Sequence, residues 1–232
     1  AENKFFGKPC GLLDQMTSSV GSFVEIDFAD PAKPVIEKVN FDFASCGYAL
    51  CIVDTGGSHS DLTDEYAAVR KEMESVAAYL GKSVLREVDE SEFMKNIADI
   101  RSSCGDRAVL RAMHFYGDNA RVEKQAAALR AGDFKTFMKY IIESGRSSYM
   151  YNQNVYSCKK AAEQPVSLAL SLSEKLLDGC GAWRVHGGGF AGTIQAFVPL
   201  NKLDEYKDLM ERVFGSGSCY VLSVRPVGGV EL

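Results

Sequence analysis

Residues 183–198 read Trp-Arg-Val-His-Gly-Gly-Gly-Phe-Ala-Gly-Thr-Ile-Gln-Ala-Phe-Val. The two ends of this stretch, residues 183–185 and 193–198, are rich in aromatic and β-branched side chains and predict two strands. Four glycines occupy the six positions 187–192, so the backbone there can adopt positive φ angles and approach a ligand closely. The loop is either an anion-binding nest or a plain glycine-rich hairpin, and its spacing matches neither a P-loop nor a dinucleotide fingerprint.

The segments around this stretch predict a mixture of strands and helices without strict alternation. Apolar alternation or short apolar runs indicate strands, and a 3.6-residue period indicates helices. The predicted strands are residues 23–28, 35–41, 48–53 and 219–224, and the predicted helices are residues 9–20, 61–80, 108–131, 134–144, 167–177 and 204–214. Strands on both sides of a helical block predict an α+β fold with antiparallel sheets. The composition changes after Gly56-Gly57, which is therefore a candidate domain junction.

The composition is that of an ordinary globular protein, with 232 residues and a net charge of -5. This acidic balance argues against nucleic acid or an anionic membrane as the main partner. No apolar run approaches the ~20 residues of a membrane-spanning helix. The seven cysteines are odd in number and show no CxxC spacing, which favours reduced thiols in a cytoplasmic protein. The chain begins at Ala1 with no obvious start, so we expect a fragment of a longer protein.

The segment of residues 9–15, Pro-Cys-Gly-Leu-Leu-Asp-Gln, contains a candidate catalytic carboxylate. Asp14 lies beside Leu13 and Met16 on a short predicted helix. A carboxylate among apolar groups suits proton abstraction from a hydroxyl. A surface aspartate on an amphipathic helix is the commoner explanation for this segment taken alone.

Residues 58–66, Ser-His-Ser-Asp-Leu-Thr-Asp-Glu-Tyr, are crowded with hydroxyls and carboxylates at a strand-to-helix turn. This composition fits sugar binding, and it equally fits the capping of a helix N-terminus. The spacing of the three histidines, His59, His114 and His186, fits neither a catalytic triad nor a metal site. We expect His114 to lie on a helix and to pack against neighbouring side chains. The segment alone leaves both interpretations open.

Taken together and in order, these segments resemble the galactokinases of the GHMP superfamily of small-molecule kinases. The resemblance extends over essentially the whole chain and rests on four motifs. They are residues 9–15, which match Pro-Cys-Gly-apolar-apolar-Asp-Gln; His59-Ser60 with Glu65-Tyr66; residues 85–88, Leu-Arg-Glu-Val; and residues 184–192, which match Arg-Met-Thr-Gly-Gly-Gly-Phe-Gly-Gly. In this chain Asp61 is inserted before Leu62, His186 replaces a threonine, and Ala191 replaces a glycine. We expect His186 to pack against the loop.

The resemblance implies a two-domain α+β fold with the active site in the cleft between the domains. Residues 1–57 would be the end of the N-terminal catalytic domain, and residues 58–232 would be the C-terminal domain, ferredoxin-like with extra helices. The family's first and second motifs, which supply an arginine and the ATP phosphate loop, do not occur in this sequence. We therefore expect the isolated chain to bind ATP poorly and to be inactive.

The resemblance also implies an activity, the transfer of the γ-phosphoryl group of ATP to the anomeric hydroxyl of galactose, giving galactose 1-phosphate. Asp14 would act as general base or would orient that hydroxyl, with Gly11 close to the sugar through its backbone and Tyr66 lining the galactose pocket. Gly187, Gly188 and Gly189 would support the phosphate loop and the sugar site. ATP and Mg²⁺ would be held mainly by parts of the protein outside this sequence, and no metal ligand is expected within it.

Three alternatives stay open at this point. The first is a kinase for a related sugar such as N-acetylgalactosamine or arabinose. The second is a non-catalytic sensor that binds galactose and ATP and regulates a protein partner. The third is an unrelated α+β binding module. For the intact protein we expect a cytoplasmic monomer that binds neither nucleic acid nor membrane.

Overall fold

A hairpin and a short helix open the part of the chain that the computed structural model describes, which is residues 5, 11–30, 32–57, 62–190 and 192–229. Helix α1, Leu13–Val20, ends at Gly21, whose positive φ of 72° suits a residue without a side chain. Strands β1, Phe23–Asp27, and β2, Val35–Val39, then pair antiparallel. This confirms the predicted alternation of residues 23–28 as strand structure.

A four-stranded antiparallel sheet forms the centre of the fold. Its strands are β3, Tyr48–Asp54; β4, Ala182–Val185; β5, Thr193–Pro199; and β6, Cys219–Leu222, in the order β4-β5-β3-β6. Buried residues alternate along β3, as expected when successive side chains point to opposite faces. The sheet confirms the predicted α+β class with antiparallel strands.

The helices cover both faces of the sheet and form a separate layer beside it. They are α2, Thr63–Tyr79; α3, Glu90–Lys95; α4, Ile97–Cys104; α5, Asp106–Arg130; α6, Phe134–Ser147; α7, Pro165–Leu177; and α8, Leu203–Phe214. One face of β5, with Ile194, Ala196 and Val198, packs in a core with residues of α7 and α8. Its opposite face presents Phe197 to an aromatic cluster that includes Phe134 of α6. Strand β5 is therefore buried on both faces, whereas residues 220–222 of the edge strand β6 are exposed.

Helices α3 and α4 were not among the sequence predictions. Both are short, and α3 begins where the Asp89 side chain accepts a hydrogen bond from the Ser91 amide at 3.0 Å. They close the third core, in which Val76, Phe93 and Ile100 are almost fully buried. Short helices of this kind carry too few turns for a 3.6-residue period to be recognised.

The predicted division into residues 1–57 and 58–232 stays a prediction. Strand β3 precedes that boundary, and it hydrogen-bonds with β5 on one side and with β6 on the other. Residues 48–54 are thus an inner strand of the same sheet as the later strands. Within the described part of the chain, no helix is long and apolar enough to cross a membrane.

Candidate functional site

The glycine-rich loop between β4 and β5 has an unusual backbone. Gly187 and Gly189 have φ angles of +67° and +84°, and Phe190 has a φ of +59° although it is not a glycine. A side-chain-bearing residue in this region costs about 1–2 kcal/mol, so neighbouring contacts must compensate. Phe190 is only 4% exposed and packs beside the buried Leu62. The loop is therefore a rigidly packed feature at its buried end.

Tyr66 holds one side of the glycine-rich loop. Its hydroxyl donates a hydrogen bond of 2.7 Å to the Gly189 carbonyl, and its ring meets the Phe190 ring edge-on at 5.3 Å. The ring also lies so close to Gly188 that a Cβ there would be 2.6 Å from it. Burial raises the pKa of the Tyr66 hydroxyl, which keeps it protonated as a donor. The structure thus brings together Tyr66 and the three glycines predicted from sequence.

Asn154, which belongs to none of the sequence motifs, contacts the other side of the loop. Its backbone carbonyl accepts a hydrogen bond from the Phe190 amide, and its Nδ2 donates to the Gly188 carbonyl at 3.2 Å. Gly189 passes so close to this residue that a Cβ would overlap the Asn154 carbonyl. Only glycine fits a backbone-to-backbone contact of this kind.

A cleft of about 1000 Å³ begins at this loop. It is lined by β1, by α2 and α5, by residues 83–87 and by Gly187 and Gly188 of the loop. Among the described residues, its wall carries five carboxylates and two guanidinium groups. One pair is Arg86 with Asp27 at 3.1 Å, and this hydrogen bond lowers the pKa of the Asp27 carboxyl. Arg70 pairs with Glu74 and Arg130 pairs with Glu25, each at 2.7 Å, so three of the five carboxylates are in ion pairs and a modest excess of negative charge remains. This excess favours a neutral hydroxyl-rich ligand over a polyphosphate.

Asp14 and Gly11 lie outside this cleft. Asp14 is exposed in the first turn of α1, and Gly11 is exposed just before that helix, with no atom within 4 Å of the position a Cβ would take. Neither residue lines the cleft that Tyr66 and the glycine-rich loop form. Both are open to a ligand, and their role in catalysis and sugar binding stays a prediction.

The three histidines fall in different surroundings. His114 is 8% exposed, and its Nδ1 lies 2.9 Å from the Ser147 hydroxyl, which confirms the prediction of a packed residue. His186 is exposed, and its Nδ1 lies 3.1 Å from Gln195 Oε1, so its ring pairs with the neighbouring strand and does not pack into the loop. His59 lies outside the described residues, as do Ser58, Ser60 and Asp61.

Acidification should weaken the fold through His114. Burial lowers the pKa of its imidazole, and the nearby Arg184 and Arg121 act in the same direction while Asp118 opposes them. The unfolded chain therefore binds a proton more readily than the folded chain, and the free energy of unfolding should fall as the pH drops below about 6.5. Urea denaturation at about pH 7.5 and 5.5 measures this fall.

The same titrations on a His114→Gln variant isolate the contribution of this residue. The variant should lose part of the pH dependence, whereas the exposed His186→Gln control should keep it. Equal pH dependence in wild type and His114→Gln would contradict the assignment.

Several known proteins similar to this chain are galactokinases. The chain is 30% identical to human galactokinase over 223 residues and 32% identical to bovine galactokinase over 222 residues, and these alignments cover 96% and 95% of it. Galactokinase of Actinobacillus pleuropneumoniae serotype 5b is 27% identical over 210 residues. This chain is a homologue of galactokinases. It spans about half the length of these relatives, 52% to 53%, and no family model matches it.

Solved structures place the galactokinase homologue in the same fold. Lactococcus lactis galactokinase, solved in complex with galactose, superposes with a TM-score of 0.71 at 22% identity and covers all of this chain, which in turn covers 58% of that structure. Mevalonate kinase of L. major, solved with R-mevalonate, gives a TM-score of 0.56 at 12% identity over 98% of this chain and 56% of that structure. The predicted α+β GHMP-kinase fold is confirmed.

Proposed function

We propose that the intact gene product phosphorylates galactose at its anomeric hydroxyl with ATP as the phosphoryl donor. The observation that carries this proposal is the packing of Tyr66 against Gly188 and Gly189, in a chain homologous to galactokinases across more than 90% of its length. Two motifs whose contacting residues, Tyr66 and Gly189, are 123 positions apart in sequence thereby lie side by side. A neutral sugar suits this site better than an anionic ligand, because carboxylates predominate in the adjoining cleft.

Asp14 and Gly11 supply the other half of the proposed sugar site. The Asp14 carboxylate is exposed and can accept a proton from a hydroxyl placed over the first turn of α1. Gly11 offers a backbone that a ligand can approach without meeting a side chain. Closure of this half onto Tyr66 and the glycine-rich loop would enclose galactose between them.

The described residues do not fit Mg·ATP by themselves. No group of three His, Cys, Asp or Glu side chains among them could hold a metal ion. Mg²⁺ that is held by only one or two carboxylates completes its coordination with nucleotide phosphates, and the carboxylate-rich cleft wall disfavours those phosphates. We propose that the nucleotide and Mg²⁺ are bound mainly by residues outside this sequence, so that the isolated 232-residue chain is inactive.

The proposal is tested by ADP release from the full-length gene product with Mg·ATP and a panel of sugars. Galactose should support turnover, and glucose and a sugar-free reaction serve as controls. Turnover restricted to N-acetylgalactosamine or arabinose would show that the protein is a kinase for a related sugar. A galactose-dependent rise in Tm without any turnover would indicate a non-catalytic sensor.

We propose that the intact protein works in the cytoplasm as a monomer, with galactose and ATP as its partners. Sedimentation of the full-length gene product tests the monomer, and a dimer would overturn that element alone.

A further inference from the structure

A chain of buried polar contacts links α2 to the glycine-rich loop by a second route, independent of Tyr66. It starts at Glu72 on α2, whose Oε2 accepts a hydrogen bond of 2.9 Å from Arg111 Nη1. Arg111 on α5 is 0% exposed, and its Nε donates to the backbone carbonyl of Asn152 at 3.0 Å. A buried guanidinium group needs such partners, and here Nε and Nη1 have them while Nη2 has none among the described residues.

The segment that receives Arg111 is conformationally strained. It is a π-helical turn, Ser148–Asn152, closed by a hydrogen bond of 2.8 Å from the Gln153 amide to the Ser148 carbonyl. Gln153 itself has a positive φ of 54°. Strained turns persist where the surrounding structure over-determines them, and π-turns often mark functional sites. Here Arg111 bonds the turn at Asn152, and the glycine-rich loop contacts Asn154, two residues further on.

Asn154 is the point where this turn meets the loop. It is 6% exposed and bonds both Gly188 and Phe190. Three residues on, the Ser157 hydroxyl donates to the buried Glu65 carboxylate at 3.0 Å, which ties the same segment to α2 again. The chain is thus anchored on both sides of Asn154, at Asn152 by Arg111 and at Ser157 by Glu65. Asn154 in turn bonds the strained backbone of the loop.

We propose that Asn154 is a positioning residue for the glycine-rich loop, and that Arg111 fixes Asn154 through the Asn152 turn. Asn154 donates to Gly188 and accepts from Phe190, and together with Tyr66 it sets the path of the loop beside the substrate. This inference rests on the proposed galactose kinase activity for its functional consequence. Its structural part, the order of the loop, stands independently of any substrate.

The test uses the full-length gene product with Asn154→Asp, which keeps the side-chain volume and replaces the Nδ2 donor by an acceptor facing the Gly188 carbonyl. Asn154→Ala removes the donor without adding charge, and it keeps the test informative if the first variant does not fold. Ser144→Ala is the matched control, because Ser144 on α6 is 1% exposed and its hydroxyl has no hydrogen-bond partner among the described residues.

Two quantities are measured for each variant: hydrogen–deuterium exchange of a peptide covering residues 187–190, and kcat and KM for galactose. We expect exchange in the loop to rise about tenfold and kcat to fall about tenfold in both Asn154 variants, because a misplaced loop holds fewer complexes in reactive geometry. The KM for galactose should change far less than kcat. The Ser144→Ala control should match the wild type in both.

Unchanged loop exchange in the Asn154 variants would overturn the proposal, whatever happens to activity. Faster loop exchange with unchanged kcat would also overturn it, since the loop would then not need its position. If the wild type phosphorylates no sugar, the proposed function has failed. Loop exchange would then still decide whether Asn154 holds the loop.

Discussion

Replacing Asp14 by asparagine in the full-length gene product should lower kcat for galactose phosphorylation by about 10²–10⁴-fold, the usual contribution of a general base. The amide keeps the size and polarity of the side chain and removes its capacity to take up a proton. Because Asp14 is exposed on α1 and lies in no buried core, its replacement should leave the fold unchanged. Steady-state ADP release, with Tm as the measure of folding, separates the two effects.

The matched control for this variant is Asp42→Asn, which removes one carboxylate from an exposed loop position after β2. It should retain wild-type kcat, because Asp42 lies outside every segment of the proposed site. A kcat for Asp14→Asn within about threefold of wild type would exclude Asp14 as the general base, since even the weakest such role contributes far more.

Replacing Gly189 by alanine should destabilise the fold by about 3 kcal/mol and abolish sugar binding. A left-handed backbone costs an alanine about 1 kcal/mol, and overpacking costs about 1–3 kcal/mol more. The overpacking arises because the new Cβ would overlap the Asn154 carbonyl. The loop must then move away from Asn154, and it takes the Tyr66 contact with it.

Gly187→Ala separates the two costs. Gly187 has a similar φ of +67°, but no atom lies within 4 Å of its would-be Cβ. It should lose about 1 kcal/mol only, by urea denaturation, and should still show the galactose-dependent rise in Tm. Equal losses in the two variants would mean that backbone strain alone, and not the contact with Asn154, explains the requirement for glycine.

The sequence indicated the candidate residues that are recognisable by their side chains or by their glycine content, and their roles in binding and catalysis stay predictions. Tyr66 and the three glycines were expected near one site, and the structure places Tyr66 in direct contact with Gly188 and Gly189. The local strands and most of the helices were also predictable, because each shows its own period of apolar residues.

The contacts that were missed are those between backbones or between distant segments. Asn154 acts partly through its backbone carbonyl. Every residue type has this group, so the sequence cannot reveal the contact. Arg111 carries a weak signal, because it falls on the same helical face as Ala108 and Ala112, which are buried, and a charged residue at such a position implies a partner. Which partner it has follows only from the tertiary fold.

The central sheet has a consequence for how this chain folds. Strand β3 forms hydrogen bonds with β5 and β6, and Thr55 just beyond it bonds Gly192, 137 residues further along the chain. The third core, in contrast, is built from neighbouring segments of α2 to α5. Contacts between distant residues form slowly because loop closure must be achieved first. During synthesis, the helical layer can assemble as it leaves the ribosome. Both edges of β3 stay unpaired until β5 and β6, near the end of the chain, have been made.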